Sequence, residues 1–104
     1  MRIVIHGHHA EVTDTLKARA EEGARKLADH LQRAVDADIC FDEDGVFKTV
    51  EIVLHAPRAR RLVARGEAKF PEVALNDAIA KLDAQIRRLK AARKKRVHGA
   101  ELRA

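Results

Sequence analysis

The chain has no tryptophan, no tyrosine and only three phenylalanines in 104 residues. This weakens any role built on aromatic platforms that stack exposed bases. It also leaves the core to Ile, Val, Leu and Ala. A single cysteine, Cys40, excludes an intramolecular disulfide and fits a reducing compartment. No run approaches the roughly 20 apolar residues of a membrane span. The apolar part of MRIVIHGHH is too short for a secretion signal. These absences lead us to expect a soluble, cytoplasmic protein without membrane contact. No Gly-rich phosphate loop, Ser/His/Asp set or paired-carboxylate motif is visible, so the expectation is a non-enzyme with no cofactor and no small-molecule substrate. There is no internal repeat or linker, and one domain is expected over residues 1–96, with 97–104 a short frayed tail.

The charge is unevenly spread. Residues 1–56 carry 7 basic and 11 acidic side chains, whereas residues 57–104 carry 14 and 5. The positive field therefore belongs to the second half, where it raises the local concentration of polyanions. It is densest in IAKLDAQIRRLKAARKKR, residues 79–96. Ile79, Leu82, Ile86 and Leu89 step by three and four, the spacing of one helix face. Around them stand Lys81, Arg87, Arg88, Lys90, Arg93, Lys94, Lys95 and Arg96, and no acid follows Asp83 until Glu101. The bland account is a solvated face laced with i,i+4 ion pairs. With no carboxylate between Asp83 and Glu101, a nucleic-acid surface is the better one. Arg58, Arg60 and Arg61 form a second basic segment, and Arg suits bidentate phosphate contact.

The rest of the chain supplies a frame. RIVIH, residues 2–6, reads as a strand closed by Gly7. Thr13 is a good N-cap for a helix over 14–32, with Leu16, Ala20, Gly23/Ala24, Leu27 and Leu31 on one face. Gly23 is expected to pack closely on the sheet. Residues 36–42 and 47–56 read as strands joined by a Glu43-Asp44-Gly45 turn. Residues 62–69 make a fourth strand, and Pro71 opens a helix running to about residue 96. The order β-α-β-β-β-α predicts an α+β fold. Two helices lie on one face of a four-stranded sheet, and Glu51, Val53, His55, Val63, Arg65 and Glu67 lie on the other.

Other residues invite sharper chemistry. His6, His8 and His9 suggest a metal, but zinc needs a third or fourth ligand, and the remaining histidines and Cys40 are distant in sequence. No metal site is expected, and an enzyme built on the His-rich start has no motif behind it. Cys40 reads as a packing or bystander thiol. Asp42, Glu43 and Asp44 read as a polar turn before a cation site.

Several segments carry a family resemblance. They are Ile5-His6-Gly7-His8-His9-Ala10-Glu11-Val12-Thr13, Leu16 with Lys26-Leu27, Leu54-His55-Ala56-Pro57, and Ala78-Ile79-Ala80-Lys81-Leu82 followed by Gln85, Arg88 and Lys90. In this order and at this length the chain resembles the ribosome hibernation promoting factors, also known as ribosome-associated translation inhibitors or sigma-54 modulation proteins. The resemblance implies a double-stranded-RNA-binding-domain-like fold. It also implies binding to small-subunit rRNA where mRNA and tRNA would otherwise sit, which blocks translation and stores inactive ribosomes. Taken with the basic helix and loop, it leads us to expect RNA contact at Lys26, Arg58, Arg60, Arg61, Lys81, Arg87, Arg88, Lys90, Arg93, Lys94 and Lys95, although the Arg58/Arg60/Arg61 loop is richer in Arg than is usual for the family. As the sequence ends soon after the second helix, the C-terminal dimerisation domain of long members is not expected. Short members of this shape are expected to act with a separate ribosome modulation factor. The alternative is a general double-stranded RNA binder with no ribosome preference.

Overall fold

The computed structural model describes residues 2–31, 36–56 and 61–103, and of residues 93–103 the backbone alone. Its elements are β1 Arg2–His8, α1 Asp14–Leu31, β2 Asp36–Asp44, β3 Phe47–His55, β4 Leu62–Ala68 and α2 Pro71–Arg103. The strands form one sheet in the order β1-β2-β3-β4. β1 and β2 run parallel, and the other neighbours are antiparallel. Parallel neighbours need a long crossover, and α1 supplies it.

Both helices begin for local reasons. The Leu16 N–H donates to Thr13 Oγ1 at 3.2 Å, and the Lys17 N–H donates to the Thr13 carbonyl at 2.9 Å. Thr13 thus satisfies a donor that has no partner inside the helix. α2 opens on Pro71, with the Ala74 N–H donating to the Phe70 carbonyl at 3.0 Å. Pro71 loses nothing there, because the first-turn N–H has no helical partner. α1 buries Leu16, Ala20, Gly23, Ala24 and Leu27. α2 buries Ala74, Leu75, Ala78, Leu82 and Ile86, with Ile79 and Leu89 half-buried beside them. These stripes meet Ile39, Phe41, Val50, Ile52, Leu54 and their neighbours on the covered face of the sheet. Each fully buried Leu or Ile contributes about 1.5–3 kcal/mol.

Several boundaries differ from the sequence reading. β1 runs past Gly7, because its parallel register with β2 continues to His8 opposite Asp42. β2 extends through Asp44, which pairs with Phe47, so the turn is Gly45-Val46 and not Glu43-Asp44-Gly45. Gly45 has φ +62°, and glycine at the first of two turn positions suits a type II′ hairpin. β4 stops at Ala68, one residue before Lys69. α2 continues to Arg103 without a break at Gly99. A lone glycine costs about 1 kcal/mol relative to Ala but removes no hydrogen bond.

The two buried glycines mark close approaches between elements. A Cβ on Gly23 would lie 2.4 Å from Ile79 Cδ1, so Gly23 packs against α2 and not, as expected, on the sheet. A Cβ on Gly66 would lie 2.0 Å from the Ala74 carbonyl oxygen and 2.7 Å from the Ala78 nitrogen. The α2 backbone therefore rests directly on β4. Ile79 can swing aside; a helix backbone cannot. We expect Gly66→Ala to destabilise the protein by about 3 kcal/mol or more, as overpacking against fixed atoms does. Gly23→Ala should cost about 1 kcal/mol or less, because the gain in helix propensity offsets the clash. Urea unfolding of both variants checks the order, and a neutral Gly66→Ala would contradict the direct helix–strand contact.

Candidate nucleic-acid interface

The open face of the sheet has the wrong sign for a polyanion. Strand pairing sets His8 beside Asp42, Asp38 beside Val53, and Glu51 between Cys40 and Arg65. His55 Nε2 lies 3.5 Å from Asp38 Oδ2, and His8 Nδ1 lies 3.5 Å from Asp42 Oδ2. Burial, then the charges of Asp42 and Glu51, pushes the Cys40 thiol pKa above its usual value. The reactive thiolate is disfavoured there. The cationic surface must be sought on the helix side.

α2 overhangs the outer edge of β4. Lys81 Nζ donates to the Arg65 carbonyl at 3.0 Å, and Gln85 Nε2 donates to the Val63 carbonyl at 2.8 Å. These carbonyls face away from β3, where an edge strand would present unpaired groups. Two motif residues on the helix thus close the sheet edge. Lys81 to Gln85 is one helical turn, about 6 Å. Arg65 to Val63 is two strand residues, about 6.6 Å.

The sequence-predicted residues fall into three groups. Lys26 pairs with Glu22 at 3.3 Å, Lys81 with Asp77 at 3.0 Å, and Arg87 Nε with Asp83 at 3.0 Å. For these three, the solvated face with i,i+4 pairs does describe the free protein; the acids lie on the N-terminal side of each base. Asp83 also accepts from His30 Nδ1 at 2.9 Å, which ties α1 to α2. Lys26 stands one turn before His30 on α1. Exposed pairs of this kind contribute about 0–1 kcal/mol, so a phosphate can displace them.

Arg61, Arg88 and Lys90 form the second group. All three are exposed, and none has an ion-pair partner among the described residues. Arg88 falls two turns beyond Lys81 on the β4 side, and Lys90 falls two turns beyond Asp83 on the α1 side. The third group is known only in part. The backbone of Arg93, Lys94 and Lys95 continues α2, and their side chains lie outside the described residues, as do Arg58 and Arg60 altogether. The sequence reading missed the edge-capping role of Lys81 and Gln85 and the His30–Asp83–Arg87 link. Both depend on register between distant segments, and only the polar positions on the helix flank could have hinted at them.

The arrangement has relatives. The fold is shared with a ribosomal subunit interface protein from Coxiella burnetii, at TM-score 0.80 and 19% identity, covering 88% of this chain and 99% of that one. It is shared also with the N-terminal domain of Thermus thermophilus Protein Y, at TM-score 0.76 and 21% identity, covering 86% and 99%. A ribosome hibernation promoting factor from Azotobacter vinelandii is 29% identical over 86 residues, which are 83% of this chain and 79% of that protein. The family model for sigma 54 modulation protein / S30EA ribosomal protein matches residues 3–94, from β1 well into α2. On that match and the β-α-β-β-β-α sheet that carries it, this chain belongs to the sigma 54 modulation protein / S30EA ribosomal protein family.

Proposed function

We propose that this protein is a ribosome hibernation factor. It binds small-subunit rRNA in the decoding region, fills the place of mRNA and tRNA, and keeps ribosomes inactive. The observation that carries this reading is a set of exposed bases with no ion-pair partner among the described residues, Arg61 just before β4 and Arg88 and Lys90 on the two flanks of α2, leading into the Arg93-Lys94-Lys95 run, in a chain of this family. Arg58 and Arg60, close to Arg61 in sequence, are expected to join it on the RNA. Lys26, Lys81 and Arg87 join after releasing their carboxylates. The protein acts in the cytoplasm as a binder and not an enzyme, and a ribosome modulation factor is its expected companion on the ribosome.

Phosphate contact sets the salt dependence. If about six phosphates are neutralised, affinity for small subunits falls by roughly 10³ between 50 and 200 mM salt. Filter binding across that range measures the slope, and a flat profile would remove phosphate contact as the source of affinity. Charge reversal at Arg88 and Lys90 together abolishes most of the binding while leaving the circular dichroism and unfolding midpoint near wild type, since exposed changes cost about 0.5 kcal/mol or less each. Undiminished binding by that double variant would move the interface to another face.

Occlusion makes its own prediction, because two ligands cannot fill one volume. Titrating an mRNA–initiator tRNA complex onto ribosomes should release the bound protein in proportion. An excess of plain duplex RNA should release far less. Simultaneous saturation by the protein and the tRNA complex would place the protein elsewhere on the ribosome. Equal release by duplex RNA would favour a general RNA binder.

A further inference from the structure

The end of the molecule away from the basic edge holds a different kind of chemistry. Adjacent strand residues point to opposite faces, so consecutive histidines in a strand cannot ordinarily share a ligand. His8 and His9 do not obey that alternation. His9 has φ +58°, the left-handed region that few non-glycine residues enter. The backbone turn brings the two rings to the same side, with centroids 4.1 Å apart. The parallel register then sets Asp42 beside His8, with Oδ2 3.5 Å from His8 Nδ1. The donor atoms of His8, His9 and Asp42 all lie within 4.8 Å of one another.

From this geometry we propose that His8, His9 and Asp42 form a binding site for a divalent transition-metal ion of the zinc class. Two imidazoles and one carboxylate suit zinc, nickel or copper; magnesium and calcium prefer an all-oxygen shell. Tetrahedral zinc with bonds of about 2.0–2.1 Å needs donors roughly 3.4 Å apart. The His8–Asp42 separation already has that value, and His9 closes the remainder by side-chain rotation. Asp42 is also held in place: its Oδ1 accepts the Glu43 N–H at 2.8 Å, which leaves Oδ2 for the ion. Such outer hydrogen bonds orient ligating carboxylates. All three side chains reach solvent, so the fourth position is open to water. The third ligand that the His-rich start lacks in sequence comes from β2 through strand pairing.

The test uses tag-free full-length protein titrated with zinc chloride by calorimetry in a non-chelating buffer. We expect one ion per chain. Asp42→Asn keeps the acceptor for Glu43, and His9→Gly suits the positive φ, so both variants fold; each weakens binding about tenfold or more, the scale on which even outer-shell losses act. His30→Gln leaves it unchanged, and millimolar magnesium does not compete. Nickel broadening of the His8 and His9 ring signals by nuclear magnetic resonance gives a second readout. Absence of saturable zinc binding, wild-type affinity in both ligand variants, or displacement by magnesium would each overturn the assignment.

Discussion

A contact with no room for a side chain sets where the long helix lies. At Gly66 the α2 backbone meets β4 so closely that even a methyl group would collide with the Ala74 carbonyl and the Ala78 nitrogen. That approach fixes the height of the helix above the sheet. With the height fixed, Leu75, Ala78, Leu82 and Ile86 reach the sheet core, and the polar flank falls over the outer edge of β4. Lys81 and Gln85 then find the Arg65 and Val63 carbonyls. A helix held about an ångström higher would leave those edge groups unpaired.

The same placement turns a charge asymmetry along the chain into one across the molecule. The acidic first half builds the centre of the open sheet face, with Asp38, Asp42 and Glu51 on neighbouring strands. The basic second half builds the overhanging helix. A polyanion approaching from the sheet side meets carboxylates, and from the helix side it meets Arg61, Arg88 and Lys90. Such a field orients the encounter before any contact forms. In the proposed binding such steering needs no base recognition, which suits a surface with so few aromatic side chains.

Most of the fold could be read from residue pattern. Thr13 announces its helix because a hydroxyl at that position accepts a first-turn N–H. Pro71 does so because a missing donor is harmless there. The helix stripes and alternating strands follow from local period alone. What was not legible depends on distance between segments. Gly23 could have faced the sheet or the other helix; only the crossing of α1 and α2 decides for Ile79. The turn moved to Gly45-Val46 because cross-strand pairing, not turn propensity, carries Glu43 and Asp44 into β2. At the site, the basic run was legible, whereas its partition into paired and unpaired cations was not. The acids that neutralise Lys81 and Arg87 sit four residues earlier, outside the acid-free stretch that drew attention to the helix.

That partition bears on how the proposed surface would bind a polyanion. Exposed i,i+4 pairs contribute little, because two long side chains lose freedom to hold one geometry in water. Exchanging a carboxylate for a phosphate therefore costs little, while counterions released from the nucleic acid supply a favourable entropy. In the proposed complex Lys26, Lys81 and Arg87 would then be available, though they are engaged in the free protein. Asp83 is the exception, because it accepts from His30 as well as Arg87 and joins the two helices. Releasing Arg87 leaves that link intact, since His30 uses Oδ1 and Arg87 uses Oδ2. The cationic edge can thus widen on binding while the helix pair that supports it keeps its own hydrogen bond.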